Sequence, residues 1–325
     1  MTSSKVDLTN ARKVFHYHGQ VKDYFGIYIV NVLLTIVTLG FYYPWAKAAI
    51  MRFHYNNLEF LGSRFSFHGT GNEMVRGMLM SFAVIVLPFF LINMAIDAGY
   101  LYEGLTIMGI YFLSLVFTIP LALVGTMRYR CSRSSWRGVF FSNSSNYKEI
   151  LAEFAKGIFL MIITLGIYRV WMQNKIMRKL IDATRFGNIQ FKYTAEGIKM
   201  FELNFLGAIL VSLSLYIYYF KWRANIYNYF FNNIRMIQGE KIGTLRANIT
   251  GWDFFKLSFV NALIILFSLG IATPWAVIRR YNFFANHVYV MANIDFDEVT
   301  QVDRFNMGGS IGEAMMDEMD LSLLY

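Results

Sequence analysis

Long runs without charge recur along this chain, and they limit its possible folds more than any other feature. The segment Tyr24–Tyr43 has no charged residue in 20 positions, and Gly104–Met127 has none in 24. Uncharged apolar runs of this length are typical of helices in a bilayer. Related runs, free or nearly free of charge, are Gly77–Ile96, Phe154–Val170, Leu203–Phe220 and Leu257–Ile278. The sequence therefore predicts a protein that lies largely within a membrane.

Composition agrees with that interpretation. The 325 residues are 56% hydrophobic and their mean hydropathy is +0.40, whereas soluble domains are about 45–50% apolar. The net charge is +9. In a membrane protein an excess of positive charge usually reflects topology and contact with anionic lipid. We therefore expect membrane lipids, anionic at the cytoplasmic face, as partners, and no nucleic acid.

The turn after each apolar run is a second recurring feature. Leu39-Gly40 ends the first run and Pro44-Trp45 opens the next helix, which are typical signals of a helix end and a helix start. The same residues return as Leu269-Gly270 and Pro274-Trp275, and the positions that match Pro44 follow at intervals of 76, 50, 50 and 54 residues. A fixed period indicates one repeated supersecondary unit. The predicted copies are residues 15–64, 65–140, 141–190, 191–245 and 246–300.

Short aromatic segments lie between the helices. Phe15–Gly19 and Phe65–Gly69 alternate aromatic and polar residues and both end in His-Gly, a pattern that favours short half-buried strands. We therefore predict an all-α polytopic membrane protein of about five helical-hairpin pseudo-repeats of ~50 residues, with short aromatic β-strands on the cytoplasmic side. Residues 1–305 are expected to form one transmembrane domain, followed by a flexible, acidic and Met-rich tail over residues 306–325.

The distribution of positive charge predicts the orientation. None of the 30 Lys and Arg residues lies within Gly77–Met127, and the loop inside that interval carries Asp97 and Glu103. By the positive-inside rule this loop faces outward, and the basic segments, with the N- and C-termini, face the cytoplasm. Every copy is then a hairpin that enters and returns. Because helices of about 17 residues are only ~25 Å long, the hairpins either re-enter on one side or thin the membrane.

Polar residues recur at two positions of each second helix, four residues apart. Residues at i and i+4 share one helix face. Across the five copies these candidates are Arg52, Asn56, Arg128, Ser132, Arg178, Asp182, Asn228, Asn232, Asn282 and Asn286. One hypothesis is that they line a polar cavity or ion path, since ionisable groups at membrane depth usually face a cavity or a partner. The other is that the second helices lie at the cytoplasmic interface, where the Arg side chains reach water.

Metal and catalytic motifs are scarce. His16 and His18 would share one face of a strand and form a possible metal pair, but no Cys cluster or acidic ligand accompanies them. The sequence has no phosphate-binding loop, nucleophile elbow or zinc-binding helix motif. We therefore predict no catalytic residues, no cofactor and no enzyme.

The recurring motifs also resemble a known family. Leu-Gly-x-x-x-Pro-Trp followed by Met51-Arg52-Phe53, and Phe-x-Phe-His-Gly-Thr-Gly at residues 65–71, are similar to the YjgN-type bacterial inner membrane proteins. The resemblance extends over about residues 12–300. It implies a multi-pass protein of the bacterial inner membrane, and it implies no activity and no site residues.

Three functions remain open from the sequence. The leading prediction is a channel- or transporter-like role with a polar path between the repeats, because many transporters are built from internal repeats around a shared site; this is an analogy at the level of fold. The second is a membrane scaffold that recruits a cytoplasmic protein or a further copy of itself. The third is a lipid-modifying enzyme.

Overall fold

Ten antiparallel strands form one sheet in the computed structural model, which describes residues 14–292 and 294–301. Neighbours in the sheet are neighbours in the chain, from β1 to β10. The strands are β1 (Phe15–Tyr17), β2 (Leu58–Phe60), β3 (Ser63–Phe67), β4 (Ser134–Trp136), β5 (Val139–Asn143), β6 (Thr184–Phe186), β7 (Ile189–Tyr193), β8 (Ile234–Gln238), β9 (Lys241–Ala247) and β10 (Val288–Ala292).

Helices connect alternate strands: the order strand, helix, helix, strand occurs four times, and once the two strands are joined by three α-helices. We call these segments units 1 to 5. Their helices are α1 (Val21–Val37) and α2 (Tyr43–Asn57); α3 (Gly71–Ser81), α4 (Leu87–Asp97) and α5 (Leu101–Arg133); α6 (Tyr147–Ile163) and α7 (Arg169–Asp182); α8 (Gly197–Leu213) and α9 (Tyr219–Asn232); α10 (Gly251–Phe267) and α11 (Thr273–His287). In unit 2 a π-helical stretch, Phe82–Val86, joins α3 to α4.

The same backbone hydrogen bond closes the base of every unit. The residue after the first strand donates its N–H to the carbonyl of the residue at the end of the second helix, at distances of 2.8 to 3.2 Å. The five pairs are His18 with Asn57, His68 with Arg133, Ser144 with Ala183, Thr194 with Asn233, and Asn248 with His287. The five units are therefore equivalent in structure, whereas the origin of their sequences as copies of one repeat stays a prediction.

The units close into a ring. Each second helix packs on the first strand of the next unit, as α2 does on β3 and α9 on β9. The last of them, α11, packs on β1 and on α1, which returns the chain to its first unit. Tyr17 and Tyr24 of unit 1 share an apolar cluster with Ile278 of α11 at this closing joint. Burial of such side chains, at ~25 cal/mol per Å², is the main energy that holds neighbouring units together.

The inside of the sheet is an apolar core to which every unit contributes. Its centre is Trp136, 2% exposed, whose indole N–H donates to the carbonyls of Phe60 and Ser63. The buried members of the cluster are Val14, Phe60, Trp136, Phe186, Ile189, Met236, Val290 and Ile294. Strands so short can be stable because eight of the ten, β2 to β9, pair on both sides around this shared core.

The segment of residues 294–301 crosses this core. Phe296 packs against Phe60 and Trp136, with ring centroids 5.0 and 6.4 Å apart. Polar contacts fix the segment to two hairpins of the sheet. Asp297 contacts Arg137 and Gln301 accepts from the N–H of Phe140 in the β4–β5 hairpin, and Glu298 contacts Lys241 in the β8–β9 hairpin. The segment therefore ties distant strands together.

The predicted all-α polytopic fold is wrong. The strands are a continuous ten-stranded sheet, and within the described residues only Gly71–Asp97 and Leu101–Arg133 are long and apolar enough to cross a membrane. The aromatic pattern revealed the first strand of a unit, whereas the three-residue strands that pair with it are too short to show a period. The predicted tail, residues 306–325, lies outside the described residues.

Candidate functional site

The sequence predicts ten polar residues at matching positions of the second helices, and we call them the polar stripe. Six of the ten lie at the joints, where one unit contacts the next. Arg52 donates to the carbonyl of Gly69 at 3.2 Å, and Arg178 donates to the carbonyl of Ala195 at 2.6 Å. Arg128 makes the corresponding bond to Ser145. In each pair the acceptor precedes the first helix of the next unit by a few residues. A charged donor on a backbone carbonyl is one of the stronger hydrogen bonds in proteins, so these arginines fasten neighbouring units.

Unit 4 makes the same connection with an amide. Asn228 exchanges two hydrogen bonds with the backbone of Ile249, both at 2.8 Å. One turn further on, Asn232 accepts from the N–H of Ala247, and Asp182 of unit 3 accepts from Tyr193, both at 2.7 Å. The second position of the stripe therefore also binds the next unit's strand.

The remaining stripe residues make no such link in the described structure. Asn282 donates to Ile278 within its own helix, and Ser132 donates to Tyr129 in the same way. Asn56 and Asn286 are exposed. Where residues of the polar stripe make contacts outside their own helix in the described structure, they join neighbouring units. That these residues line a polar path stays a prediction.

A histidine that the sequence did not single out lies at the closing joint. His54 is 3% exposed, its Nδ1 lies 2.7 Å from the Tyr17 hydroxyl, and its ring stacks on Tyr281 of α11 at 4.1 Å. Burial lowers the pKa of His54 to about 4, so the imidazole is neutral at pH 7. Its Nε2 has no hydrogen-bond partner within the described structure. Sequence reasoning missed this cluster because its members come from opposite ends of the chain.

The two predicted metal candidates are not brought together with further ligands. His18 Nε2 lies 2.7 Å from Glu59 Oε2, and His16 is exposed. Within the described residues no group of three or more His, Cys, Asp or Glu side chains is arranged to hold a metal ion.

The tips of the four short hairpins are apolar and exposed. At each tip a leucine adopts φ of about +50°, a conformation that costs a non-glycine residue roughly 1 kcal/mol or more. These leucines are Leu39 (90% exposed), Leu165 (94%), Leu215 (86%) and Leu269 (90%). Exposure of so many leucines in strained turns is unfavourable in water, and it is what a hydrocarbon environment favours.

The backbone N–H groups at the tips also form hydrogen bonds within the tips. In unit 1 the Gly40 N–H donates to the Thr35 carbonyl at 2.7 Å, and the Tyr42 N–H donates to the Thr38 hydroxyl at 2.9 Å. Units 3, 4 and 5 repeat both bonds, with Thr164, Ser214 and Ser268 as the hydroxyl acceptors. Irregular backbone is tolerated at membrane depth only if its polar groups are paired. The backbone N–H groups of the four tips meet that condition without water.

The close contacts between the two helices of a hairpin also resemble those of helices packed in lipid. A Cβ on Gly157 would lie 2.4 Å from the Met172 side chain, and one on Gly207 would lie 2.1 Å from Trp222. The matching position in the other units holds a small or amide side chain, Asn31, Ser81 or Asn261. Small residues at helix crossings are characteristic of packing in lipid.

The exposed apolar hairpins define an integral membrane protein, with a sheet domain at one end of its helices. The chain belongs to the family described as bacterial protein of unknown function (DUF898), which matches residues 12–220 and 198–318. This confirms the predicted resemblance.

Relatives agree with that assignment. The inner membrane protein YjgN of Escherichia coli O157:H7 is 27% identical over 312 residues, which cover 84% of this chain and 74% of the relative. YjgN of Escherichia coli strain K12 is 37% identical over 134 residues, 41% of this chain and 32% of the relative. These relatives support a location in the bacterial inner membrane. No solved structure is significantly similar to the chain.

Proposed function

We propose that this protein is a membrane scaffold that inserts mainly into one leaflet of the inner membrane and holds its sheet domain at the cytoplasmic surface. The observation that supports the proposal is the difference between hairpins. Four end in uncharged, exposed, internally hydrogen-bonded tips, and the hairpin of unit 2 alone extends further and ends with exposed Asp97 and Glu103.

The lengths of the helices indicate how deep the short tips lie in the bilayer. The first helical segment of unit 2, Gly71–Asp97, has 27 residues, and α1, α6, α8 and α10 have 17 each. Ten further residues extend the long hairpin by ~15 Å, which is half of a ~30 Å hydrocarbon core. If the charged tip reaches water on the far side, the four short tips end near the bilayer midplane.

Charge placement in the first helices gives a similar depth. In α6 the charged residues stop at Lys156, seven residues before the helix ends, and in α10 they stop at Lys256. The uncharged end of α6 with its tip therefore covers ~10 to 15 Å. Arg169, which begins α7 next to the unit 3 tip, is an exception and must extend its side chain toward a polar region.

Orientation follows from the charges of the sequence. Lys and Arg are absent between Gly77 and Met127, so the far tip is external and the basic sheet side is cytoplasmic. The partners in this proposal are the acyl chains around the tips and anionic headgroups at the basic side, each Lys or Arg near such a surface contributing ~1 kcal/mol. No catalytic activity is assigned.

Sided labelling tests the proposal. In a Cys131→Ser background, single cysteines replace Leu165 and Leu269 at short tips, Tyr102 at the long tip, and Glu240 in the turn between β8 and β9. A membrane-impermeant maleimide is expected to label Tyr102→Cys only from the external side and Glu240→Cys only from the cytoplasmic side. The two leucine positions should react from neither. External labelling of Leu165→Cys would contradict the proposal, because the short hairpins would then cross the bilayer.

A channel- or transporter-like role is the second candidate, and one observation favours it. The units close into a ring, and the closing joint holds a buried imidazole with an unpaired nitrogen. Solute flux into proteoliposomes, compared between the wild type and His54→Phe, tests this role. Flux that the substitution abolishes, while folding is unchanged, would favour transport over a scaffold.

A further inference from the structure

Unit 3 contains a cleft of about 490 Å³ between the start of α6 and the end of α7. Six charged side chains line it: Glu149, Glu153, Lys175, Arg178, Lys179 and Asp182. Three are cationic and three are anionic, so their formal charges cancel. A volume of a few hundred Å³ is sufficient for a small polar group.

This cleft is particular to unit 3. The residues that match Lys179 in the other units are aromatic: Phe53, Tyr129, Tyr229 and Phe283. Those that match Glu153 are uncharged: Ile27, Gly77, Leu203 and Leu257. Ion pairs also join helices in other units, such as Glu73 with Arg133 in unit 2, 2.9 Å apart, but these two positions are charged in unit 3 alone. A recognition role explains why unit 3 differs.

Four of the six charged side chains form two exposed ion pairs, whereas Arg178 and Asp182 bind the backbone of unit 4. Lys179 lies 3.2 Å from Glu149, and Lys175 lies 3.7 Å from Glu153. These side chains are between 29% and 60% exposed, and ion pairs at such sites contribute little net stability. A ligand that offers both a positive and a negative group can therefore replace the pairs at low cost.

The level of the cleft matches the lipid headgroups. Glu153 precedes the tip residue Leu165 by twelve residues, or ~18 Å of helical rise. With the tip near the midplane, that distance lies just beyond half of the hydrocarbon core. This step rests on the proposed function.

We propose that the cleft binds the headgroup of a zwitterionic phospholipid, with the phosphate on Lys175 and Lys179 and the primary ammonium on Glu149 and Glu153. The cancelling charges of the cleft favour a ligand whose own charges cancel. Two cationic donors suit a phosphate, and carboxylates accept the N–H bonds of an ammonium.

Native mass spectrometry of the full chain in detergent tests the proposal with three probes. Phosphatidylethanolamine has both groups, phosphatidylglycerol lacks the ammonium, and phosphatidylcholine lacks its N–H donors. Phosphatidylethanolamine is expected to bind about tenfold more tightly than either of the others. Equal binding of the three lipids would overturn the proposal.

Substitutions locate the site. Lys175→Met with Lys179→Met, and separately Glu149→Gln with Glu153→Gln, are expected to weaken phosphatidylethanolamine binding about tenfold. The control removes the exposed pair of unit 4, Lys199 and Glu196, 3.0 Å apart, by Lys199→Met with Glu196→Gln, and should leave binding unchanged. Wild-type affinity in both cleft variants would refute the assignment.

A variant in which two paired charges are exchanged distinguishes a loss of binding from a loss of folding. Glu149→Lys with Lys179→Glu keeps one cation and one anion in contact, so this variant should fold and retain most binding. Loss of binding in a folded exchange variant would also count against a headgroup held by paired charges. Because binding is measured in detergent, a failure of the insertion proposal would appear in the labelling experiment and not here.

Discussion

The hairpin of unit 2 and the four shorter hairpins stand on the same sheet and meet the membrane differently. Their bases are equivalent: the same backbone hydrogen bond closes each unit, and Arg128 of unit 2 makes the joint contact that Arg52 and Arg178 make. Their ends diverge, with apolar strained tips in four units and a charged tip in one. In the proposed function, one supersecondary unit serves either to anchor within a leaflet or to cross the bilayer, according to its length.

The two kinds of hairpin should differ most in how much a charge at the tip destabilises the protein. Leu165→Asp places a carboxylate near the midplane, where an ionised side chain costs about 3 kcal/mol. Tyr102→Asp, at the long tip and 82% exposed, should change stability by less than about 0.5 kcal/mol. Reversible unfolding in bicelles measures both variants. Equal effects would show that the two kinds of tip share one environment.

Loss of the arginine at a joint should lower the stability of the protein equally in the long unit and in the short units. Arg128→Met and Arg178→Met each remove a charged donor from a backbone carbonyl, and each is expected to lower the free energy of unfolding by about 2 kcal/mol. Asn282→Leu is the control, because Asn282 bonds within its own helix, and should cost under about 1 kcal/mol. A clearly larger effect in one arginine variant would mean that the bases of the units are not equivalent.

Alkaline pH should weaken the sheet end of the molecule. Burial raises the pKa of Tyr193 above its usual value of about 10. The unfolded chain therefore ionises first, and stability that is complete below pH 10 is lost as pH rises toward the folded pKa, by up to ~1.4 kcal/mol per pH unit. Tyr193→Phe should flatten the unfolding free energy against pH between 9 and 11. An unchanged pH profile would argue against burial of this hydroxyl.

The smallest effect concerns turn strain. Leu165→Gly removes a side chain from a residue at φ +51°, and should stabilise the protein in detergent by up to about 1 kcal/mol. The same change should weaken retention in vesicles, because the tip loses its apolar contact. Leu61→Gly, at φ +47° in the turn between β2 and β3, relieves the same strain but removes a side chain packed on the central core, so it should not stabilise the protein.

Local features of the fold could be read from the sequence. Gly40 and Pro44 predicted a helix end and a helix start, and α1 ends at Val37 while α2 begins at Tyr43. A glycine of positive φ and a proline in a first turn are properties of the local chain. The aromatic alternation at Phe65 likewise marked a strand, now seen as β3.

Contacts between units could not be read in the same way. The sequence placed Arg178 and Asp182 on one helix face, but their partners, the backbone of Ala195 and Tyr193, belong to the next unit. The continuous sheet depends on three-residue strands such as β4, which have no usable period. Periodicity describes one element at a time, so it did not show that His54 meets Tyr281.

The depth of the short tips is the central claim, and nitroxide spin labels measure it most directly. Labels replace Leu165 and Leu269 at short tips and Tyr102 at the long tip, in the Cys131→Ser background, with the protein in liposomes. Accessibility to oxygen against a water-soluble nickel complex gives the depth of each label. Both leucine positions are expected ~15 Å below the edge of the hydrocarbon core, near the midplane, and Tyr102 is expected in water. Water exposure at Leu165 and Leu269 like that at Tyr102 would contradict the central claim.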